Sequence, residues 1–184
     1  MKTRLAQLTL CVACVCTTLS TATTAQEAPY AGQQYREVSS FSDSDIEDLF
    51  AGAGWGLAKP AELNGWPGPA HVIELADELN LSLEQREKVE KIFGAMNAAA
   101  REAGADLIAA ETALDHAFES GQIDDERLLQ LLTASEVVRT RLRMFHLSAH
   151  LKVGPILNMH QKMLYEQARG YTGDSAHNDH GGHN

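Results

Sequence analysis

Cysteine is scarce in this chain of 184 residues, and all of it lies near the N-terminus. The three cysteines are Cys11, Cys14 and Cys16, and none follows them. If this leading region is removed on export, the remaining chain can form no disulfide. A small exported domain without disulfides must be stabilised by its hydrophobic core, by a partner subunit or by a metal ion.

Basic residues are also few relative to acidic residues. The chain has 15 lysines and arginines against 25 acidic residues, a formal net charge of −10. Two of the basic residues, Lys2 and Arg4, lie in the first 25 positions, so the chain after residue 25 has 13 basic against 25 acidic residues, a net charge of −12. Phosphate groups would be repelled by such a chain, which argues against nucleic acid as a partner.

Motifs of common catalysts are also missing from the sequence. No glycine-rich phosphate loop is present, no cysteine is available as a nucleophile after Cys16, and no serine lies in a strand–turn–helix elbow. Carboxylates such as Glu74, Asp77 and Glu78 fall on a helix face that we expect to be solvated. The sequence therefore predicts a protein that is not an enzyme and binds no nucleotide.

Residues 1–25 have the pattern of a secretory signal peptide. A basic start is followed by an apolar run at 5–19 and by small residues that end at Ala25. The run is shorter than the roughly 20 apolar residues that span a bilayer. We expect cleavage after Ala25 and a periplasmic location; a lipoprotein with its lipid on Cys14 is the alternative.

Residues 26–69, which we name the strap, are rich in tryptophan, proline and glycine. A Ser-Asp-Ser-Asp run predicts one short helix here, which ends at Gly52. The remainder is aperiodic but apolar, and it contains Trp55 and Trp66. Two interpretations are open: the strap lies over a helical core with both tryptophans buried, or it is a lid over a binding groove.

The spacing of apolar residues predicts an all-α domain over 70–170, followed by a disordered His-rich tail over 171–184. The longest helix extends roughly 55 Å at 1.5 Å per residue. Only a few residues join it to the next helix, so the two should form an antiparallel hairpin, bent where Gly94 and Gly104 weaken the long helix. Such a hairpin is too thin to cover its own apolar stripe, and we expect a homodimer. The four main helices are predicted at 70–79, 83–119, 124–152 and 159–168.

Two of these helix starts share one motif, Leu81-Ser82-Leu83-Glu84-Gln85 and Leu157-Asn158-Met159-His160-Gln161. The side chain of Ser82 or Asn158 can cap exposed backbone N–H groups of its helix. The glutamine three residues later, Gln85 or Gln161, can accept from the N–H of the cap residue. The leucine before each cap, Leu81 or Leu157, can pack on the apolar face of the helix.

Two such boxes in a small, exported, helical chain resemble the LTxxQ superfamily of periplasmic proteins. This group includes Spy/CpxP-type chaperones and related heavy-metal-resistance and metal-sensor proteins. The resemblance covers about residues 70–171, and it implies a bent four-helix hairpin, a cradle-like homodimer and no catalysis. Neither box has the usual threonine, and the strap is not part of the compact chaperone pattern.

Two groups of histidines are candidate metal ligands, because neutral imidazole binds zinc, nickel, cobalt and copper. In the tail, His177, His180 and His183 recur every third residue; the alternative is a solubilising tail. On the third predicted helix, His146 and His150 are one turn apart and can chelate one ion. A third ligand for that pair would come from a partner chain, from His160 or from His71; ordinary half-buried histidines are the alternative.

Methionines form another pattern that has two interpretations. Met96, Met144, Met159 and Met163 could bind copper(I), or they could be adaptable apolar filler, which also suits a surface that binds many partners. We expect Phe93, Met96, Leu142 and Phe145 to form an amphipathic client surface. On the third predicted helix the apolar stripe that faces inward is expected to comprise Leu128, Leu131, Leu132, Val138, Leu142 and Phe145.

Two functions follow from the sequence. In the first, the protein is a non-enzymatic periplasmic stress protein that binds unfolded or stress-damaged clients on its helical surface and a divalent transition metal through its histidines. In the second, it is a dedicated metal sensor or buffer without chaperone activity. The expected partners are a second copy of the chain, unfolded periplasmic proteins and, as a further candidate, a membrane-bound regulatory protein.

Overall fold

A computed structural model describes residues 28–171. Over this range the chain forms six α-helices, one 3-10 turn (Gln33–Tyr35) and no strand, which confirms the all-α prediction. None of the described helices is long and apolar enough to cross a membrane. The predicted signal peptide and the tail histidines His177, His180 and His183 lie outside the described residues. The helices are α1 (Asp43–Ala51), α2 (Lys59–Glu62), α3 (Pro69–Glu74), α4 (Leu83–Glu119), α5 (Asp125–Val153) and α6 (Met159–Ala168).

The helices α4 and α5 pack side by side and are joined by residues 120–124. Their side-chain pairs run in opposite order along the two helices. Asp106 accepts from Arg141, and farther along α4, Glu111 accepts from Ser135, which lies earlier on α5. The two helices are therefore antiparallel in this structure.

The part of the strap from Val38 to Leu57, which includes α1, packs against the middle of α4. The capping box of α1 is complete, because Ser42 Oγ accepts from the Asp45 N–H (3.2 Å) and Asp45 Oδ2 accepts from the Ser42 N–H (2.9 Å). Gly104 lies so close to the Leu49 carbonyl that an added Cβ would collide with it. The glycine thus allows α1 to approach α4, and Gly94, the other glycine of α4, has no such neighbour. The core at this crossing comprises Val38, Phe41, Leu49, Ala100, Ala103, Leu107 and Leu142.

A second cluster joins the ends of the long helices to α3 and α6. Its buried members come from α3 and the turn after it, the first half of α4, the end of α5, the turn that follows α5, and α6, so four helices meet there. From Gly32 onward the described residues belong to one compact unit. The buried members of this cluster are Val72, Leu79, Val89, Val153, Leu157 and Tyr165.

Two sequence expectations for this region are wrong. The helix expected over 70–79 ends at Glu74, because the chain turns before α4 and Asn80 adopts a left-handed conformation (φ 49°). Burial of both tryptophans is also wrong, since 42% of Trp66 is exposed. Trp55 is half-buried, and its ring packs edge-on against Phe41 with centroids 5.6 Å apart.

Candidate functional site

A cavity of about 570 Å³ lies between the strap and the α4–α5 pair. We name it the histidine cavity, because His71, His146 and His150 all line it. The structure thus brings His71, the candidate third ligand from the sequence, to the same space as the pair on α5. The other described lining residues are Ala51, Gly52, Ala53, Gly54, Trp55, Gly56, Ala58, Lys59, Glu62, Leu63, Gly68, Pro69, Ala70, Phe93, Met96, Asn97 and Tyr171.

His150 is fixed by the backbone of the strap. Its Nδ1 lies 2.7 Å from the Trp66 carbonyl oxygen, so the ring donates its Nδ1–H there. In the neutral ring this leaves the lone pair on Nε2. Gly68 faces the other side of the same ring, where an added Cβ would lie 2.8 Å from Cε1 and 3.1 Å from Nε2.

Only 3% of His146 is exposed, and its Nε2 has no hydrogen-bond partner in the part of the chain that the structure describes. Burial lowers the pKa of this imidazole, and the nearby His150 lowers it further. The ring is therefore held neutral, which is the form that can coordinate a metal ion. The side chains of His146 and His150 are both buried, and both line the cavity wall.

Glu62 connects the strap to the C-terminal part of the described chain. Its Oε1 accepts from Tyr165 OH (2.6 Å), from Tyr171 OH (3.2 Å) and from Arg169 Nε (3.3 Å). Its Oε2 is buried without a hydrogen-bond partner and lies 3.9 Å from His150 Nδ1. Burial, together with the bond to Glu62, raises the pKa of the Tyr165 hydroxyl, which stays a donor.

The remaining histidines have different surroundings. His71 Nδ1 lies 2.9 Å from Glu74 Oε2, and Arg169 Nη2 donates to His71 Nε2 (3.2 Å). His160 is exposed at the start of α6 and does not line the cavity, so it supplies no ligand there. His116 pairs with Glu119 near the end of α4. Across residues 28–171, no three His, Cys, Asp or Glu side chains lie close enough together to hold a metal ion.

The expected client surface is largely covered. Phe93 and Met96 are half-buried and line the histidine cavity, and Phe145 is half-buried against the first core cluster. Leu142 is only 2% exposed, because residues of the strap pack over it. In this structure these four residues do not form an open surface.

Sequence reasoning missed an exposed apolar row on the opposite side of α5. Val137, Met144 and Leu151 are spaced seven residues apart, and 62% of each of the first two is exposed. Leu129 and Leu132, nearer the start of α5, are exposed as well. The inward orientation expected for Leu132 is therefore wrong. We name these five residues the outer row; the heptad spacing of three of them was a readable signal.

The two Leu-Ser/Asn-x-x-Gln boxes meet at the base of α4 and α6. Ser82 Oγ accepts from the Gln85 N–H (3.1 Å), and Asn158 Oδ1 accepts from the Gln161 N–H (2.9 Å). The glutamines accept in turn from the cap N–H groups, and both boxes are complete. Leu81 is half-buried and Leu157 is buried against the second core cluster.

Comparison with known proteins gives no relative: no protein family, no curated protein and no solved structure matches this chain.

Proposed function

We propose that the protein is a non-enzymatic, exported binding protein that holds unfolded or stress-damaged clients on the outer row of α5. This proposal rests on a set of exposed apolar side chains on α5, a helix that also buries apolar residues on its other side. The exposed residues are Leu129, Val137, Met144 and Leu151. Large apolar side chains grouped on a surface commonly mark an interaction site.

The shape and chemistry of this face suit loose, reversible contacts. Two shallow depressions of about 450 and 430 Å³ lie along it, and both include Val137 and Thr140. Apolar contact contributes about 25 cal/mol per Å² without requiring a fixed geometry. Glu136, Arg141 and Arg143 border the depressions, so a client can meet apolar and charged groups together. Release would then need no nucleotide.

A second copy of the chain is the other expected partner of this face. Acidic residues dominate the start of α5 and basic residues its second half. Antiparallel pairing of two α5 helices would place opposite charges together, as in a bent, cradle-like homodimer. The charged residues are the cap Asp124 with Asp125, Glu126, Arg127 and Glu136 in the first half, and Arg139, Arg141, Arg143 and Lys152 in the second.

The sequence supports export to the periplasm, where such a protein would meet damaged proteins and a membrane-bound regulatory partner.

The test of this function is the suppression of client aggregation by the double variant V137Q/M144Q. We expect it to lose most of the holding activity of the parent protein. The matched control is L83Q/M159Q, which replaces two apolar residues elsewhere that are even more exposed (73% and 75%) and should retain the activity. Equal activity of both variants would refute a role for the outer row.

A second candidate function is the binding of a transition metal by histidines, as a sensor or buffer. The unpartnered Nε2 of His146, in a cavity shared with His150 and His71, favours this function. Calorimetric titration with zinc, nickel, cobalt and copper would test it. Loss of binding in H146Q/H150Q places the ion in the cavity, and loss only in H177Q/H180Q/H183Q places it in the tail.

A further inference from the structure

The histidine cavity is lined by two imidazoles from α5 and one thioether from α4. His146 and His150 are one turn apart on α5, so their Cβ atoms are about 5–6 Å apart. Met96 lines the same cavity from α4. These three side chains come from two helices that pack together, so their positions do not depend on a flexible segment.

Within residues 28–171, each of these imidazoles has a ring nitrogen without a hydrogen-bond partner. His150 donates its Nδ1–H to the Trp66 carbonyl, and a histidine that binds a metal is usually oriented by such a bond on its other nitrogen. His146 Nε2 is buried and has no partner. A buried, unpaired polar atom is unfavourable, and a bound ion would satisfy it.

Gly68 leaves space beside the His150 ring. Its backbone is extended (φ −84°), a conformation that any residue adopts, so chain geometry does not require glycine here. An added Cβ would instead lie 3.1 Å from His150 Nε2. The absence of a side chain at this position therefore keeps the nitrogen accessible from the strap side.

The ligand set and its surroundings favour a soft ion of low charge. Thioether and imidazole together suit copper(I), whereas zinc is usually held by four nitrogen, sulfur or oxygen ligands. Among the described residues no third His, Cys, Asp or Glu lies close enough to complete such a set. Glu62 Oε2 lies 3.9 Å from His150 Nδ1, the nitrogen that donates to the Trp66 carbonyl. Phe93, Leu63 and Trp55 line the cavity, and apolar walls disfavour a doubly charged ion more than a singly charged one.

We propose that Met96, His146 and His150 form a copper(I) site beneath the strap. The proposal rests on the metal-binding candidate above and specifies its ion and its third ligand. The test is anaerobic competition for copper(I) with a chromophoric chelator. It uses the full chain with serine at the three cysteines and glutamine at His177, His180 and His183, which removes the other soft or imidazole ligands near the termini.

In this background we expect one equivalent of copper(I) to bind and to quench tryptophan fluorescence, because Trp55 lines the cavity. M96L conserves side-chain volume, so it should fold normally and weaken copper(I) binding by about tenfold or more. M144L, at the exposed outer row, is the matched control and should bind as the parent does. H146Q should abolish binding.

Three results would overturn the copper(I) site. The first is that M96L and M144L bind copper(I) equally well. The second is that zinc or nickel binds through His146 and His150 while copper(I) does not, which would leave the metal-binding function intact. The third is that neither copper(I) nor a divalent ion binds in this background, which would remove both the site and the metal-binding function of the cavity.

Discussion

The side-chain amides of Gln85 and Gln161 pair reciprocally, although the residues lie 76 positions apart. Gln85 Nε2 donates to Gln161 Oε1 (2.9 Å), and Gln161 Nε2 donates to Gln85 Oε1 (3.0 Å). Each amide also donates to a carbonyl oxygen, that of Ile156 from Gln85 and that of Leu79 from Gln161. The two capping boxes are therefore one polar junction that connects the starts of α4 and α6.

Replacing Gln161 by leucine should destabilise the protein. The change leaves the Gln85 amide and the Leu79 carbonyl without their partners in a buried place, and each unsatisfied group costs about 1–3 kcal/mol. Urea unfolding should show a lower midpoint for Q161L. Q167L, on the exposed face of the same helix, should change the midpoint little. Similar midpoints for the two variants would show that the junction contributes nothing to stability.

The two glycines of α4 should respond in opposite directions to alanine. G104A forces a Cβ against the Leu49 carbonyl, so α1 must move away from α4 and stability should fall. At Gly94 nothing lies within 4 Å, and alanine should stabilise the helix by up to about 1 kcal/mol. The thermal unfolding temperatures of G104A and G94A test these two expectations. Stabilisation by G104A would mean that α1 does not pack as described.

Helices α4, α5 and α6 illustrate what could and could not be predicted from the sequence. Helices α4 and α6 begin and end at the predicted residues, and their starts were predictable because the capping boxes are local signals. It was harder to predict which side of α5 is buried, because this helix has apolar residues on two sides. Periodicity shows that Leu142 and Val137 lie on different faces, but only the packing of the strap decides which face is buried.

The histidine cavity was only partly predictable for a related reason. The spacing of His146 and His150 indicates that both lie on the same face of α5. The bond from His150 to Trp66 uses a backbone carbonyl, and the close approach of Gly68 depends on a side chain that is absent. Neither feature leaves a pattern in the sequence, so the position of the strap could not be inferred from it.

The free energy of unfolding should decrease at acidic pH because of His146. The pKa of this residue is lowered in the folded protein, first by burial and then by His150, whereas an unfolded histidine has a pKa of about 6.5. Below about pH 6.5 the unfolded chain therefore takes up a proton that the folded chain does not, and the free energy of unfolding falls as the pH decreases toward the folded-state pKa. Urea unfolding from pH 8 to pH 5 should show this loss, and H146Q should reduce it. If H146Q and H160Q, at an exposed position, both retain the full pH dependence, His146 is not its source.

Removing the hydroxyl of Tyr165 should loosen the strap while the long helices stay packed. This hydroxyl donates to Glu62 Oε1 and accepts from the Gly68 N–H (3.3 Å), so it ties two points of the strap to α6. Y165F leaves both groups without that partner, and we expect a loss of about 1–3 kcal/mol. Amide hydrogen exchange should accelerate in residues 61–70 more than in α4, because the lost bonds belong to the strap. Y35F, at a tyrosine that is 85% exposed, is the control and should leave exchange unchanged. If amide exchange accelerated equally in all helices, Y165F would destabilise the whole fold. The strap would then not open independently of the long helices.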